Sequence, residues 1–312
     1  MAPVSRRAVA ALALASLPLA GAPGVLRAQC GICDEHAPRL RGEALTLASN
    51  ALLGGVTAGV RRALAGGSFR EAFAAGVAGG ALTYTGKRIA VERFAGAGLL
   101  GRELAAVGSS ITHNAAEGRP ALESVALPVG PVRLYLGGGG APVHAKLDLA
   151  AVTTAAYTLT LPGARFDAGE SFSSGALVFR RAARPEALGY NGAQAAGVLH
   201  VRYPDEAGEL TPALREQVER SVRHERVHVI QYDQGFLLWS APAEAWAMAG
   251  SPLTRALHRW VDLGLNAPAM AGMGAALPYE ARPWEREAFF LSRTRADPGD
   301  DAHAPADLTR RP

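Results

Sequence analysis

Between Ala44 and Glu117 the chain places glycine or alanine at nearly every third or fourth residue, with glycine pairs at Gly54-Gly55, Gly66-Gly67 and Gly79-Gly80. Spacings such as Gly55 to Gly59 and Gly76 to Gly80 align the small residues along one side of a helix. The result is a smooth stripe on which another helix can pack closely. Arg61-Arg62, Arg70-Glu71, Lys87-Arg88 and Arg102-Glu103 interrupt every apolar run before it reaches the roughly 20 residues of a membrane span. Residues 44–120 therefore read as closely packed short helices, in a soluble domain or on a membrane surface, rather than as spanning segments. Composition agrees: the chain is 49% hydrophobic but only 6% aromatic, with 36 glycines, so its core is built from Ala, Leu and Val rather than from large anchors.

From Gly118-Arg119-Pro120 the pattern changes, and 121–205 reads as a β-rich meander. Pro131 to Leu136 and Tyr157 to Leu161 alternate with period two, and Ala176 to Arg180 and Val198 to Arg202 are short runs bounded by turn residues. Gly137 to Gly140 is a loop, and no Gly-Lys-Ser/Thr follows to make it a phosphate loop.

At Thr211-Pro212 a helix is expected to begin, with threonine as cap and proline in the first turn. Leu214, Val218 and Val222 fall on one face, and the predicted helix runs to about Tyr232. Further helices are expected at Ala241 to Ala249, Leu253 to Leu263 and Pro283 to Arg293, followed by an acidic, Pro-rich tail, 294–312, read as disordered.

Within the first of these helices stands His224-Glu225-Arg226-Val227-His228. Side chains four apart on a helix stack one turn above another, so two imidazoles can reach one ion, with Glu225 beside them as a general base. Zn²⁺ suits such a pair, and a catalytic site needs a third protein ligand. A continuation with glycine at 231 and histidine at 234 would supply it, but the chain has Gln231 and Gln234, so the ligand must come from elsewhere. Glu285 and Glu244 are the candidates.

His224 to Tyr232, followed downstream by Tyr279 and Trp284-Glu285-Arg286-Glu287-Ala288, resembles the gluzincin zinc metallopeptidases. The likeness is closest to a bacterial branch with Gln shortly after the second histidine and an aromatic-Glu-Arg-Glu-Ala stretch. It covers roughly residues 211–293. It implies Glu285 as third ligand, Ala288 as the small residue that lets the two helices pack, and Glu225 as catalytic base. Glu244 also opens a Glu-x-x-Ala, at the shorter thermolysin-type spacing, and stays as the alternative. Glu287 is a secondary partner or a surface charge, Gln231 and Tyr232 pack or hydrogen-bond to the second helix, and Asp233 is a candidate to orient a histidine. Tyr279, His258 and Arg282 are the polar candidates for stabilising an oxyanion.

At the N-terminus, Arg6-Arg7 precede an apolar run from Ala8 to Ala20 and small residues up to Ala28. That order reads as a secretory signal, 1–28, with an uncleaved anchor as the alternative. Cys30 and Cys33 fall in a flexible segment, 29–43, where export would allow a local disulfide, and Arg27-Ala28-Gln29 is a poor context for lipidation of Cys30. The charge of +4, from 32 basic and 28 acidic residues, is dispersed and gives no nucleic-acid footprint. The expectation is an exported α+β protein, periplasmic, envelope-associated or secreted. It comprises a Gly/Ala-rich helical part, a β-rich meander and a helical metallopeptidase-like domain at 206–293. It would cleave peptide bonds in peptide or protein substrates using Zn²⁺, with membrane-surface association through the Gly/Ala-rich helices as a further possibility. The alternative is a non-enzymatic envelope scaffold with a structural or degenerate zinc site.

Overall fold

The structure, a computed structural model, describes residues 37–138, 142–183, 192–204, 211–263, 266, 272, 276–277 and 282–293. The segment read as a signal, both cysteines, Tyr279 and the 294–312 tail lie outside the described residues. The chain is mixed α and β, with two small four-stranded sheets.

Three helices come first: α1 (Ala37–Leu64), α2 (Phe69–Ala90) and α3 (Ala97–Glu117). Residues 37–43, expected to be flexible, are the first turns of α1; Pro38 sits where a missing N–H costs nothing. Ser68 caps α2 by accepting from the Glu71 N–H, and Gly118 ends α3 in a left-handed conformation. The glycines act through close approach. A Cβ on Gly80 would strike the backbone of Asn50 and Ala51 in α1, and one on Gly86 would strike Gly101 and Ala105 in α3. Neighbouring helices therefore meet backbone to backbone, with Ala58, Ala72, Ala115 and Ala116 filling the space between them.

The first sheet is an antiparallel meander of β1 (Ser124–Val129), β2 (Val132–Gly137) and β3 (Val143–Asp148). A two-residue strand, β8 (Val261–Asp262), joins β3 in parallel. The register gives the two faces opposite chemistry. One carries the rungs Val125–Leu136–Val143, Leu127–Leu134–Ala145 and Val129–Val132–Leu147–Val261, all apolar. The other carries Arg133, Tyr135, Lys146, Asp148 and Asp262 and turns inward.

After β3 the sequence expectation fails. Tyr157 to Leu161, read as a strand, falls in and just after α4 (Leu149–Leu159), which the Asp148 side chain caps by accepting from the Ala151 N–H. A capped, Ala-rich turn outweighs a five-residue alternation of Thr and Leu. A short strand β4 (Ala164–Phe166) and helix α5 (Ala168–Ser174) follow, then β5 (Leu177–Ala183), β6 (Gly192–Ala195) and β7 (Val198–Pro204). These strands form a second sheet in the order β4-β5-β7-β6, with β5 and β7 parallel. The middle of the chain is thus two sheets separated by helices, not one meander.

Helix α6 (Pro212–Ala249) runs through the centre. It continues beyond the expected end near Tyr232 and takes in the segment read as a separate helix at Ala241 to Ala249. Every residue from Val222 to Asp233 is buried. Val218, Val222 and Val229 pack on Val178, Leu199 and Val201 of the second sheet, whose other face packs on Ala151 of α4. Val227 meets Tyr84, Ala288 and Leu291, while Ile230 meets Ala90 and Ala105. Among the described residues two short helices follow, α7 (Pro252–Trp260) and α8 (Pro283–Arg293). The helix expected to reach Leu263 stops at Trp260, because Val261 and Asp262 join β3 instead.

Several buried polar groups of this assembly are paired across elements. Arg102 donates to Asp233 at 2.7 Å and Arg133 donates to it at 3.2 Å, while the Tyr232 hydroxyl donates to Asp148 at 3.1 Å. Glu103, beside this network, has neither carboxylate oxygen hydrogen-bonded among the described residues. Burial pushes its pKa from 4.5 up to about 7, with Arg102 lowering it and Asp233 raising it. A carboxyl that holds its proton more tightly when folded loses the protein stability as pH rises from the unfolded value through the folded one. Glu103→Gln is therefore expected to be neutral near pH 4 and to stabilise by about 2 kcal/mol at pH 8, read from urea midpoints at both pH values.

Candidate metal centre

Two helices build the site. α6 presents His224 and His228 one turn apart, and α8 lays Glu285 across them. The His224 and His228 Nε2 atoms are 3.0 Å apart, and the Glu285 Oε2 lies 3.3 Å from the first and 3.0 Å from the second. His224, His228 and Glu285 are a buried group able to hold a metal ion. The fit is close: ligand atoms about 2.0–2.2 Å from a tetrahedral ion stand roughly 3.3 Å from one another, near the spacing of these three.

The approach of the helices rests on small and flat contacts. Ala288, three residues after Glu285, is fully buried in the cluster with Val227. Phe289 lies against His224, ring centroids 4.5 Å apart. Arg226, between the histidines, points away and fixes α6 to its surroundings: it donates to Ser174 Oγ at 3.0 Å, Glu170 at 2.8 Å and the Ala90 carbonyl at 3.3 Å.

His228 has its second nitrogen committed. Nδ1 stands 2.6 Å from Gln231 Oε1. The Gln231 amide nitrogen donates to the Trp284 carbonyl at 3.0 Å and to Glu287 Oε2 at 2.8 Å. Both of those partners only accept, so the amide oxygen faces the ring, Nδ1 carries the hydrogen, and the Nε2 lone pair is left for the ligand position. Glu287 is in turn held by Lys87 at 2.8 Å and Asn50 at 2.6 Å, and Lys87 also donates to Asn50 Oδ1 at 2.9 Å. Burial works to raise the Glu287 pKa, but Lys87 and the two amide donors outweigh it and hold the group below the usual range. A chain of hydrogen bonds therefore runs from α1 and α2 through α8 to the imidazole.

Glu225 is buried beside the cluster. Burial pushes its pKa up to about 7, His228 draws it down, and Glu285 raises it again. Burial tends to lower the pKa of His228, but the bond to Glu285 and the neighbouring charge of Glu225 prevail and raise it. A metal must displace that proton, since only neutral imidazole ligates.

His224, Glu225, His228 and Glu285 are thus brought together. Glu287, left open as partner or surface charge, is an internal anchor. Asp233 does not orient a histidine; it pairs with Arg102 and Arg133 on the opposite side of α6. Tyr232 likewise turns to Asp148 and not to α8. Of the groups considered for an oxyanion, His258 sits on α7 and is not part of the cluster, Arg282 Nε donates to the Leu277 carbonyl at 3.2 Å, and Tyr279 lies outside the described residues. The Glu244 side chain also lies outside them.

Sequence reasoning missed Lys87 and Asn50. The available signal was their register: Asn50 is four residues before Gly54, and Lys87 is seven after Gly80, which places each on the glycine stripe. A polar residue on a contact stripe must meet a buried partner. No protein-family model, curated protein or solved structure matches the chain.

Proposed function

We propose that this protein is an exported, zinc-dependent hydrolase of peptide bonds, with His224, His228 and Glu285 as ligands and Glu225 as general base. The observation that carries the reading is the convergence of two imidazole nitrogens and one carboxylate oxygen within 3.0–3.3 Å, contributed by two helices. Zinc suits the donor set, two neutral nitrogens and one carboxylate. Such an ion would supply Lewis acidity and lower the pKa of water to about 7. Glu225 takes the proton of the attacking water and delivers it to the leaving amine. Gln231 keeps the His228 ring in the ligating tautomer, and the Lys87–Glu287 pair holds Gln231.

The reading is tested by metal analysis of the purified protein. About one zinc per chain is expected in the wild type, with none retained after dialysis in His224→Ala. Equal and negligible metal in both proteins would sink it. A second reading, a structural zinc tying α6 to α8 in a scaffold, is favoured by one observation: His224, Glu225, His228 and Glu285 are each only 7–8% exposed, and structural sites are closed. The two readings divide on Glu225, which only the hydrolase needs.

A further inference from the structure

Helix α7 is turned inside out. At 100° per residue, Leu253, Ala256, Leu257 and Trp260 share one side, while Thr254 and His258 share another. In a helix packed on its own protein the first set would be covered. Here only Thr254 and His258 are partly buried, whereas Leu253 is 67%, Leu257 51% and Trp260 67% exposed. The helix buries none of its residues.

Trp260 leads directly into Val261, whose side chain lies in the rung of Leu147 on the apolar face of the first sheet. None of the apolar side chains on that face is buried, and Val129, Leu136, Val143 and Leu147 are 37–54% exposed. The stripe on α7 thus runs in sequence directly into the edge strand of the sheet face. Arg255 and Arg259 stand exposed on the polar side of the same helix, and His258 lies beside them.

A second copy of the chain is a poor fit to this surface. Three six-residue strands at about 4.8 Å spacing and 3.3 Å rise present roughly 300 Å², and the nine-residue α7 adds about 140 Å², together well below the roughly 800 Å² per partner of a stable interface. An exposed tryptophan and two leucines flanked by Arg259 match instead the boundary between acyl chains and anionic headgroups. Among the described residues no helix is long and apolar enough to cross a membrane, so such a contact would be interfacial. We infer that α7 and the adjoining sheet face form a docking surface for an anionic lipid bilayer, with Trp260, Leu257 and Leu253 entering the interface and Arg259 contacting the headgroups. This surface is separate from the Gly/Ala-rich helices, for which surface association is expected from the sequence, and it does not depend on the metal centre.

Flotation of the full chain with phosphatidylcholine vesicles, with and without phosphatidylglycerol, tests the inference. The wild type is expected to float with the anionic vesicles and to be released by salt. Leu257→Asp/Trp260→Ser is expected to weaken binding at least about tenfold and Arg259→Gln about fivefold, both with unchanged melting temperature, since these side chains are exposed. No flotation of the wild type, or equal flotation of the double variant, overturns it. So does a dimer in sedimentation that the double variant dissociates, which would make the face a contact between copies.

Discussion

Glu225→Gln is expected to retain the metal and to lose turnover of a labelled peptide mixture by about 10³-fold, the contribution of a positioned general base. The substitution is nearly isosteric, and Glu225 is not among the three groups that converge on one another, so ligation by His224, His228 and Glu285 is left intact. The fold should not suffer either. Burial already drives the Glu225 carboxyl towards its neutral form, to about 7, and a neutral amide in its place carries less desolvation cost. Metal content and turnover measured on the same preparation divide the two functional readings. Metal retained with turnover lost identifies the hydrolase, whereas turnover absent from wild type and variant alike, with the metal essential to the melting temperature, identifies the scaffold.

The second large effect is expected far from the histidines in sequence. Lys87 is 2% exposed and donates to Glu287 at 2.8 Å. Lys87→Met leaves the Glu287 carboxylate buried with only neutral donors. Losing one member of a buried ion pair costs about 3–5 kcal/mol, because the remaining charge stays desolvated. The pH dependence follows from the sign of the shift. Wild-type Glu287 is held below the ordinary carboxylate range, so it contributes stability above that range which is lost as pH falls. In the variant that contribution vanishes and the carboxyl favours its proton, so the deficit should be greatest at neutral pH and shrink on acidification. Lys87→Met/Glu287→Gln should recover much of the loss in urea denaturation. The single variant should also weaken metal binding, because a released Glu287 no longer fixes Gln231 and the His228 ring can turn; such outer partners are worth about 10–100-fold in affinity. A single variant as stable as the wild type would mean that the pair does not organise the site.

These two expectations mark the boundary of what could be read from residues alone. The spacing of His224 and His228 determines a shared direction on any helix, and Thr211-Pro212 determines that a helix starts there, because both are local rules of backbone geometry. The glycine spacing at Gly76 and Gly80 likewise announces a helix surface made for close approach. The face of the first sheet that repels water is written in the alternation of β2, although the register that turns Arg133 inward depends on pairing with β1 and β3.

Elsewhere the outcome belonged to contacts between distant segments. Tyr157 to Leu161 carries a weak alternation that a single carboxylate cap at Asp148 overrides. The apolar stripe at Val218 and Val222 foretells one buried side of α6, yet residues 222–233 are buried on every side, because Arg226, Gln231, Tyr232 and Asp233 find partners on separate elements. Which carboxylate reaches the histidines, that Asp233 faces Arg102 and Arg133, and that Lys87 and Asn50 steady the site through Glu287 and Gln231 are all decided by packing. Local sequence specifies the directions in which side chains leave a helix, but only the tertiary structure brings those directions from separate elements to a common point.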